Sequence, residues 1–399
     1  MRPHLLALFG AVLIAAPLSA QRLGPEVPRP RLAASADTND ALRYLEYGMS
    51  IITENPEGAA NAFYWSARLD PSSPGALYGR RVALLMRRPG DLNSYMTYNR
   101  RARESKEFLS IDSLQLRALR LNPMYYRSLD RVLLYTWYYN DYRRGGGVLS
   151  RPDFEREVRY ILSSSSSAAS RAFLMYGLGQ FDQAIDEYDA AIRAARNPIS
   201  LRIERARVLG LRERYGEAVA EFQRALTALK ARDERRGEYV VFYDSKALLE
   251  HSIGLMLLRA GATDSAKAAF GRAMTEDLAY FPAHLELGLL ALSEKDSVTA
   301  VSELGLAAEL AMDEPYVHYL YGSTMVATGQ HADAVGALRK AIELEPLYAV
   351  AYASLGDALA GSGDKSGART AYERFLVLAP RREAQLRDDV TRKIAGLGQ

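Results

Sequence analysis

The sequence predicts an all-α protein in which antiparallel helix pairs stack into a solenoid. The first observation is a 34-residue pattern that runs twice without a gap over residues 315–382. The second is that small residues recur at fixed places in six consecutive units. The alanines at the twentieth place of these units are Ala184, Ala218, Ala266, Ala300, Ala334 and Ala368. The third is the three- and four-residue spacing of large apolar residues, which places one apolar stripe on each of two short helices per unit.

The last copy shows the pattern most completely. Its first helical stripe, its turn glycine, its second stripe and its closing proline are Tyr352, Leu355, Gly356, Leu359, Gly363, Ala368, Tyr372, Phe375, Leu378 and Pro380. This arrangement resembles the tetratricopeptide repeat, W-x2-L-G-x2-Y…A-x3-F…P with a period of 34. The resemblance implies a right-handed superhelical solenoid, because one hairpin buries its apolar faces only by stacking on its neighbours.

Residues 1–20 have the features of a secretory signal peptide. Arg2 and His4 precede a twelve-residue apolar run over residues 5–16, and Ala20 offers a small residue for cleavage before Gln21. Twelve residues are too few to cross a bilayer as a helix. The alternative is an uncleaved short anchor. We therefore expect an exported protein, periplasmic or secreted, without a transmembrane span.

The region before the regular repeats is less periodic. Residues 21–37 contain three prolines and predict an extended, poorly ordered and flexible leader. Residues 38–164 predict degenerate or expanded hairpins. The first of these, at about 40–73, is marked by Leu42, Leu45 and Met49 on one helix and by Ala59, Phe63 and Leu69 on the next.

Residues 165–382 predict six repeat units. Their bounds are 165–198, 199–232 followed by an insert at 233–246, 247–280, 281–314, 315–348 and 349–382. The 14-residue insert fits either a loop or a lengthening of both adjoining helices by about two turns each. Tyr239 and Tyr243 continue the stripe of the later helix upstream and favour the longer helices. Residues 383–399 predict a charged helix that caps the last repeat.

Composition excludes several classes of function. The chain has 399 residues, a net charge of +3 and no cysteine. The small charge argues against nucleic-acid binding, and the lack of cysteine excludes disulfides and thiolate metal sites. The charge is unevenly spread, since residues 21–164 carry 22 Lys/Arg and 16 Asp/Glu, a net +6, whereas residues 165–399 carry 28 and 32, a net −4.

Catalytic and metal sites have only weak candidates. His284 and His318 occupy the same place in neighbouring units, but no further ligands with metal-site spacing accompany them. Helix packing is the simpler interpretation of both. No nucleophile motif or phosphate loop is present, so we expect neither an enzyme nor a cofactor. The alternative is an enzyme with its site in residues 91–164, where Asp130, Asp141 and the Glu155/Glu157 pair are available.

An aromatic cluster within residues 135–142 offers an alternative ligand patch. Its members are Tyr135, Trp137, Tyr138, Tyr139 and Tyr142. Tyrosine and tryptophan combine a large contact area with a polar group and are enriched where proteins bind partners. The cluster therefore indicates either a binding site for a polysaccharide or other envelope polymer, or the packing of an irregular hairpin.

The groove that the family resemblance implies is the preferred binding site. In such arrays the first helices of the repeats line a concave surface. Carried over to this sequence, its lining residues are Leu248, His251, Leu255, Leu258, Pro282, Leu285, Leu289, Leu292, Tyr316, Tyr319 and Val326. The Lys, Arg and Asn clamp with which some family members bind acidic tails is absent here, apart from Arg207 and Arg259 at the margin.

These observations predict an exported scaffold for protein–protein interaction in the cell envelope. The expected partner is an apolar or aromatic segment of another envelope protein, because contiguous apolar surface usually marks a contact site. Two rival occupants of the groove are the chain's own 21–37 leader and a second copy of the protein in a homodimer.

Overall fold

The structure, a computed structural model, describes residues 23–52, 54–87, 106–125, 167–236 and 245–398, together with the single positions 156, 160 and 163. All regular structure in these ranges is helical, and no strand occurs there. The fold is therefore an all-α solenoid of antiparallel helix pairs. No helix within the same ranges has the length and the apolar character that a membrane span requires. The predicted signal peptide at 1–20 lies outside the described residues.

The amino-terminal part, which we call the N-terminal unit, comprises the described residues between 23 and 125. Its helices are α1 (Ala41–Ile51), α2 (Pro56–Leu69), α3 (Pro74–Met86) and α4 (Lys106–Leu121), followed by a short 3-10 helix, Pro123–Tyr125. The caps at the start of α2 and α3 follow a common rule. Asn55 and Ser73 accept hydrogen bonds from the exposed first-turn amides, and each is followed by a proline that needs no such acceptor.

Six hairpins and a last helix form the second part, which we call the solenoid. The hairpins are α5 (Ala168–Gly177) with α6 (Phe181–Ala194), α7 (Ile199–Leu211) with α8 (Tyr215–Arg236), α9 (Lys246–Arg259) with α10 (Thr263–Glu276), α11 (Phe281–Ser293) with α12 (Ser297–Leu310), α13 (Pro315–Ala327) with α14 (His331–Leu344), and α15 (Ala349–Gly361) with α16 (Lys365–Leu378). The last helix is α17 (Ala384–Gly396).

The turn inside each of the six hairpins contains a residue with positive φ at the same place. Four of these residues are glycines, namely Gly179, Gly261, Gly329 and Gly363. In the other two hairpins, Glu213 and Lys295 adopt φ values of 58° and 65°. A left-handed residue at this point ends the first helix, and glycine adopts that conformation without steric penalty. The turn geometry is therefore the same in all six hairpins.

In the last four hairpins the two helices touch through a glycine and a large side chain. A Cβ atom added at Gly288 would lie 2.7 Å from Leu304 Cγ, and one added at Gly322 would lie 2.6 Å from Leu338 Cγ. Cβ atoms added at Gly254 and Gly356 would overlap the rings of Phe270 and Tyr372 in the same way. Each large residue follows its glycine by sixteen positions. The two residue types that recur together in the sequence pattern are therefore in contact in the structure.

This contact supplies a first testable prediction. We expect Gly322→Ala to destabilise the solenoid by about 1–3 kcal/mol, because the added methyl group meets Leu338 Cγ and also lies 3.2 Å from the Leu338 backbone nitrogen. Gly336→Ala in the same hairpin is the matched control. No atom lies within 4 Å of a Cβ added there, so the higher helix propensity of alanine should stabilise by about 1 kcal/mol. Urea unfolding followed by circular dichroism compares the two, and equal midpoints would contradict the packing.

The described part of the insert between the second and third repeats lengthens the earlier helix. Helix α8 has 22 residues and extends to Arg236, so it is eight residues longer than the 14-residue α10. Helix α9 begins at Lys246, where the Ser245 hydroxyl caps it by accepting a hydrogen bond from the Leu248 amide at 3.0 Å. The predicted extension of the later helix over Tyr239 and Tyr243 falls on residues outside the described ranges and stays a prediction. Residues 237–244 lie outside the described ranges.

Of the three apolar residues that marked helix α1 in the sequence, only Leu45 packs against the core. Leu42 and Met49 are 38% and 37% exposed, whereas Tyr44 and Gly48 are buried. The reason is that the Phe63 ring lies against Gly48, with 2.9 Å between its Cε1 and a Cβ added there. The glycine fifteen residues before Phe63 was the sequence signal for this contact, and the leucine and methionine spacing was misleading.

The leader is held in place rather than poorly ordered over its described residues, 23–37. Leu23 is buried in the core of the N-terminal unit, and the Trp65 indole donates a hydrogen bond to the Val27 carbonyl at 3.1 Å. The Arg29 guanidinium lies 4.6 Å from the centre of the Trp65 ring and 5.4 Å from that of Tyr44. Proline makes such a segment extended, but contacts of this kind fix an extended segment as well as a helical one.

The last helix, α17, covers the apolar end of the solenoid. Val390 is fully buried, and Leu386 and Ile394 pack against the cluster that contains Phe375. The Arg387 guanidinium donates to the Leu376 and Ala379 carbonyls at 2.8 Å, so the carbonyl groups at the end of α16 also gain a hydrogen-bond donor. These contacts are those that a terminal capping helix supplies.

Candidate interaction surface

The eleven residues predicted to line the groove lie on the first helices of three successive hairpins, α9, α11 and α13. The structure buries five of them, Leu248, His251, Pro282, Leu285 and Tyr316. The other six are half-buried, and these are Leu255, Leu258, Leu289, Leu292, Tyr319 and Val326. None of the eleven is fully exposed. Their role in binding a partner stays a prediction.

The buried half of the groove is covered by the N-terminal unit. Leu119 of α4 belongs to the buried cluster that contains Leu248 and Tyr280. Leu121 packs against the cluster that contains Leu285 and Tyr316. The chain itself therefore occupies this half of the groove with α4, whereas the described residues of the leader, 23–37, pack on the N-terminal unit.

The 3-10 helix after α4 continues the contact towards the second repeat. Met124 is buried with Leu209 and Met256, and its Cε would lie 2.8 Å from a Cβ added at Gly210. The Arg207 guanidinium, which the sequence placed at the margin of the groove, is buried and donates to the Pro123 carbonyl at 3.3 Å. Arg207 thus holds this chain's own backbone.

Arginines of the N-terminal unit meet three successive turns between repeats. Arg117 Nε donates to Glu314 Oε1 at 2.7 Å, and Arg68 Nε donates to Glu345 Oε1 at 3.1 Å. The Arg120 guanidinium lies 5.7 Å from the centre of the Phe281 ring. Both carboxylates are buried, and burial of a carboxylate is tolerated where a cation and hydrogen bonds accompany it.

The contact extends to the carboxy-terminal end of the solenoid. The Asn39 amide donates to the Val377 carbonyl at 2.8 Å, and the Arg382 guanidinium lies 3.2 Å from the Asp40 carboxylate. The backbone nitrogen of Arg381 donates to the Asp37 carboxylate at 2.5 Å. Going from residue 37 to residue 124, the N-terminal unit therefore contacts the solenoid in reverse order, from the last repeat towards the second.

A buried polar cluster lies next to α4. His251 Nδ1 is 2.9 Å from the Tyr280 hydroxyl, and His251 Nε2 is 3.7 Å from a Glu286 oxygen. Burial raises the pKa of the Tyr316 hydroxyl well above its ordinary value, and the Glu314 carboxylate raises this pKa further. Within the described part of the chain, His251 Nε2 and the Tyr316 hydroxyl have no hydrogen-bond partner. Unsatisfied buried polar atoms are costly, so they single out this cluster.

The half-buried residues of the groove form what we call the apolar strip. It consists of Leu255 and Leu258 on α9, Leu289 and Leu292 on α11, and Val326 on α13. Leu258, Leu292 and Val326 are spaced by 34 residues and therefore hold the same place in three repeats. Tyr319 is less available, because its ring packs edge to face on Tyr348 with 5.2 Å between the ring centres.

The histidines suspected of holding a metal have ordinary partners. His284 Nδ1 lies 2.8 Å from Glu303 Oε2, and His318 Nε2 lies 3.3 Å from the Met312 carbonyl. Burial lowers the pKa of His318. Across the described residues no group of three or more His, Cys, Asp or Glu side chains has an arrangement that could hold a metal ion.

Two other predicted sites lie outside the described residues. These are the aromatic patch, Tyr135, Trp137, Tyr138, Tyr139 and Tyr142, and the carboxylates proposed for an enzyme, Asp130, Asp141, Glu155 and Glu157. Both alternatives stay predictions. Sequence reasoning missed Arg68 and Arg117 as contact residues, and the positive charge of residues 21–164 was the one signal that pointed to them.

Comparison with known proteins matches two stretches of the chain to one family of repeats. The family model described as the tetratricopeptide repeat matches residues 174–233 and 322–383. Small glutamine-rich tetratricopeptide repeat-containing protein 2 of Mycosarcoma maydis is 32% identical over 108 residues, which are 27% of this chain and 31% of that protein. The match thus spans less than a third of the relative's length.

Two solved structures show weaker likeness. YrrB, described as a tetratricopeptide repeat protein with an unusual peptide-binding site, is 17% identical with a TM-score of 0.40, and the match covers 51% of this chain and 97% of YrrB. The carboxy-terminal part of a repeat protein from Cytophaga hutchinsonii is 14% identical with a TM-score of 0.42, covering 56% and 78%. From the two stretches matched by the family model and the repeated hairpin geometry, we conclude that this chain contains tetratricopeptide repeats.

Proposed function

We propose that the chain is an exported scaffold that binds an apolar or aromatic segment of another envelope protein along the apolar strip. The repeats support a scaffold for protein–protein interaction in general. The observation that carries the finer proposal is the strip itself, in which five aliphatic side chains on the first helices of three successive hairpins remain half-buried. The exported location is supported by the sequence of residues 1–20 alone.

The strip suits a guest that inserts a few apolar side chains. Leu289 and Leu292 lie three residues apart and therefore on one face of α11, and Leu255 and Leu258 repeat that spacing on α9. A guest that crosses the helices meets an equivalent aliphatic side chain in each repeat. Affinity in such contacts is concentrated in a few central anchors, which here are Leu292 and its neighbours.

A photo-crosslinking experiment tests the proposal. A benzoylphenylalanine replaces Leu292 in the full-length chain, and in a second strain it replaces Val298, which is 83% exposed on α12 outside the strip. Irradiation of intact cells followed by mass spectrometry should give an envelope protein attached at position 292 and not at 298. The same adduct at both positions would contradict a site confined to the strip.

A paired substitution measures the contribution of the strip. We expect Leu292→Asp with Val326→Asp to weaken capture of the crosslinked partner at least about tenfold, because charged side chains then replace two anchors. The control is Val298→Asp with Met312→Asp, the same chemical change at two apolar residues exposed elsewhere. Circular dichroism checks that both variants stay folded. Equal capture by the two variants would refute the proposed function.

A further inference from the structure

We propose that the turns between repeats form a second docking site, specific for arginine-bearing apolar helices, and that α4 is its built-in occupant. An external helix of the same chemistry would compete with α4 for Glu314, Glu345 and the buried half of the groove. This inference rests on the proposed function, because it assumes that the solenoid binds proteins. It adds the class of partner and the means by which access is controlled.

The first support is that one arginine of the N-terminal unit contacts each of three successive turns between repeats. Arg120 lies over Phe281 at the turn before α11, Arg117 pairs with Glu314 at the turn before α13, and Arg68 pairs with Glu345 at the turn before α15. One arginine per repeat matches the period of the solenoid. Two of the three turns offer a buried carboxylate and the third offers an aromatic ring, so each turn presents a partner for an arginine side chain.

The second support is the chemistry of the covering helix. Arg117, Leu121 and Met124 are spaced four and three residues apart, so a basic group is followed by two large apolar groups that enter the clusters of the groove. Residues 106–121 carry three Lys/Arg and two Asp/Glu, a net charge of +1, and Arg117 pairs with the buried Glu314 carboxylate. The site therefore selects a basic, amphipathic helix and disfavours an acidic one.

The third support is that the docked state leaves polar groups unsatisfied. His251 Nε2 and the Tyr316 hydroxyl are buried without a hydrogen-bond partner among the described residues, and both are more than nine-tenths buried. A guest with a polar side chain at this point, or water after release, would satisfy both groups. Helix α4 therefore gives no hydrogen bond to either of these two atoms, as expected for an occupant that can be replaced.

The N-terminal unit would leave as one body. Leu114 and Ala118 of α4 belong to the core that also contains Tyr44, Phe63 and Leu77. Displacement of α4 therefore carries α1–α3 with it, and the contacts of Asp40 with Arg382 and of Arg68 with Glu345 must break together. Because these contacts are ionic, raised salt should favour the open state.

A peptide copy of α4 tests the proposal. The probe is a fluorescent synthetic peptide of residues 106–124, titrated into the full-length chain and followed by anisotropy. We expect it to bind Arg68→Glu with Arg117→Glu at least about tenfold more tightly than the wild type, in which α4 holds the site. The matched control, Arg212→Glu with Arg214→Glu, reverses two exposed arginines that pair with Asp182 and Glu217 outside the contact, and it should bind the probe as the wild type does.

A second probe tests the role of the arginines. The peptide with Arg117→Glu and Arg120→Glu should fail to bind the double variant. Equal binding of the two probes, or equal affinity of the natural probe for wild type and double variant, would overturn the proposal. Retained capture at position 292 in the same proteins would show that the scaffold function survives that failure. If crosslinking of a partner at position 292 is lost while the peptide still competes with α4, only the proposed role of the apolar strip is refuted.

Hydrogen exchange of the wild type keeps the test independent of any variant. We expect the amides of α4 to exchange at least about fivefold faster in 0.5 M than in 0.05 M sodium chloride, as ion-pair screening increases. The amides of α12 and α14 should be unaffected by salt. If α4 exchanges only at the rate of global unfolding and without salt dependence, then it is a fixed part of the core and the proposal fails.

Discussion

We expect Ala300→Phe to destabilise the solenoid by about 3 kcal/mol, at the upper end of the usual range for an overpacked core. Ala300 lies on α12 and is completely buried, 0% exposed, where α12 packs against α11. Its place holds alanine in all six hairpins, so the helix separation is set by a methyl group. A phenyl ring fits only if the two helices move apart, and that movement also breaks the contact of Gly288 with Leu304.

The measurement is urea unfolding followed by circular dichroism, with Ala332→Phe as the matched control. Ala332 is exposed near the start of α14, so the same substitution there should change the free energy of unfolding by less than about 0.5 kcal/mol. Equal midpoints for Ala300→Phe and the wild type would show that the register of the fourth hairpin is different from the one described.

The damage from Ala300→Phe should also be local. Each hairpin contacts mainly its neighbours, so a solenoid unfolds as a chain of coupled units and not as one core. Amide exchange should therefore accelerate most in α11 and α12, less in α10 and α13, and least in α16. Uniform acceleration along the chain would indicate that the N-terminal unit couples all of the repeats.

The repeats were predictable because their contacts are local in sequence and recur. The glycine and the large residue that touch in one hairpin are sixteen positions apart, and the same pair returns in the next unit. The positive φ of Lys295 was less visible, since the sequence offers no glycine there. Repetition supplied the turn at that position, because the surrounding hairpins fix the same geometry.

The contacts of the N-terminal unit were not predictable in the same way. Arg68 and Glu345 are 277 residues apart, and Arg117 and Glu314 are 197 apart, so no local pattern connects either pair. The leader was misread for a related reason, because Trp65, which holds Val27, lies on another element. Composition showed only that residues 21–164 and 165–399 have opposite net charge. Opposite charge predicts attraction between the two segments but does not identify the residues that pair.

For the groove, the sequence predicted which helices carry the lining residues but not that some of these residues are buried. The family resemblance placed Leu248, Leu285 and Tyr316 on the first helices of the repeats, and the structure places them there. The resemblance gave no information about what covers them, because the covering residues Leu119 and Leu121 lie in a region without regular repeats. The burial of these predicted contact residues therefore shows that a partner reaches them only if α4 moves away.

Phe63→Ala should loosen the N-terminal unit while the solenoid stays folded. The Phe63 ring is completely buried and fills the space between α1 and α3, since Cβ atoms added at Gly48 and Gly79 would lie 2.9 and 2.7 Å from its Cε1. Loss of such a ring usually costs about 3–5 kcal/mol, because two glycine faces have no side chains with which to fill the cavity. Leu114 and Ala118 of α4 share this core, so α4 should lose its support as well.

Hydrogen exchange resolved by segment measures this effect. In Phe63→Ala we expect residues 41–86 and 106–121 to exchange at least about tenfold faster, and α10 and α14 to exchange at the wild-type rate. Phe181→Ala is the control, because Phe181 is only half-buried at the start of α6 and should affect its own hairpin alone. Faster exchange throughout α9–α16 in Phe63→Ala would show that the N-terminal unit and the solenoid share one cooperative core. Unchanged exchange in residues 41–86 would show that the Phe63 ring does not stabilise the N-terminal unit. Faster exchange in the N-terminal unit together with wild-type exchange in α10 and α14 is expected only if the N-terminal unit and the solenoid are joined by a contact that can open. Only then does damage to the N-terminal unit leave the distant repeats intact.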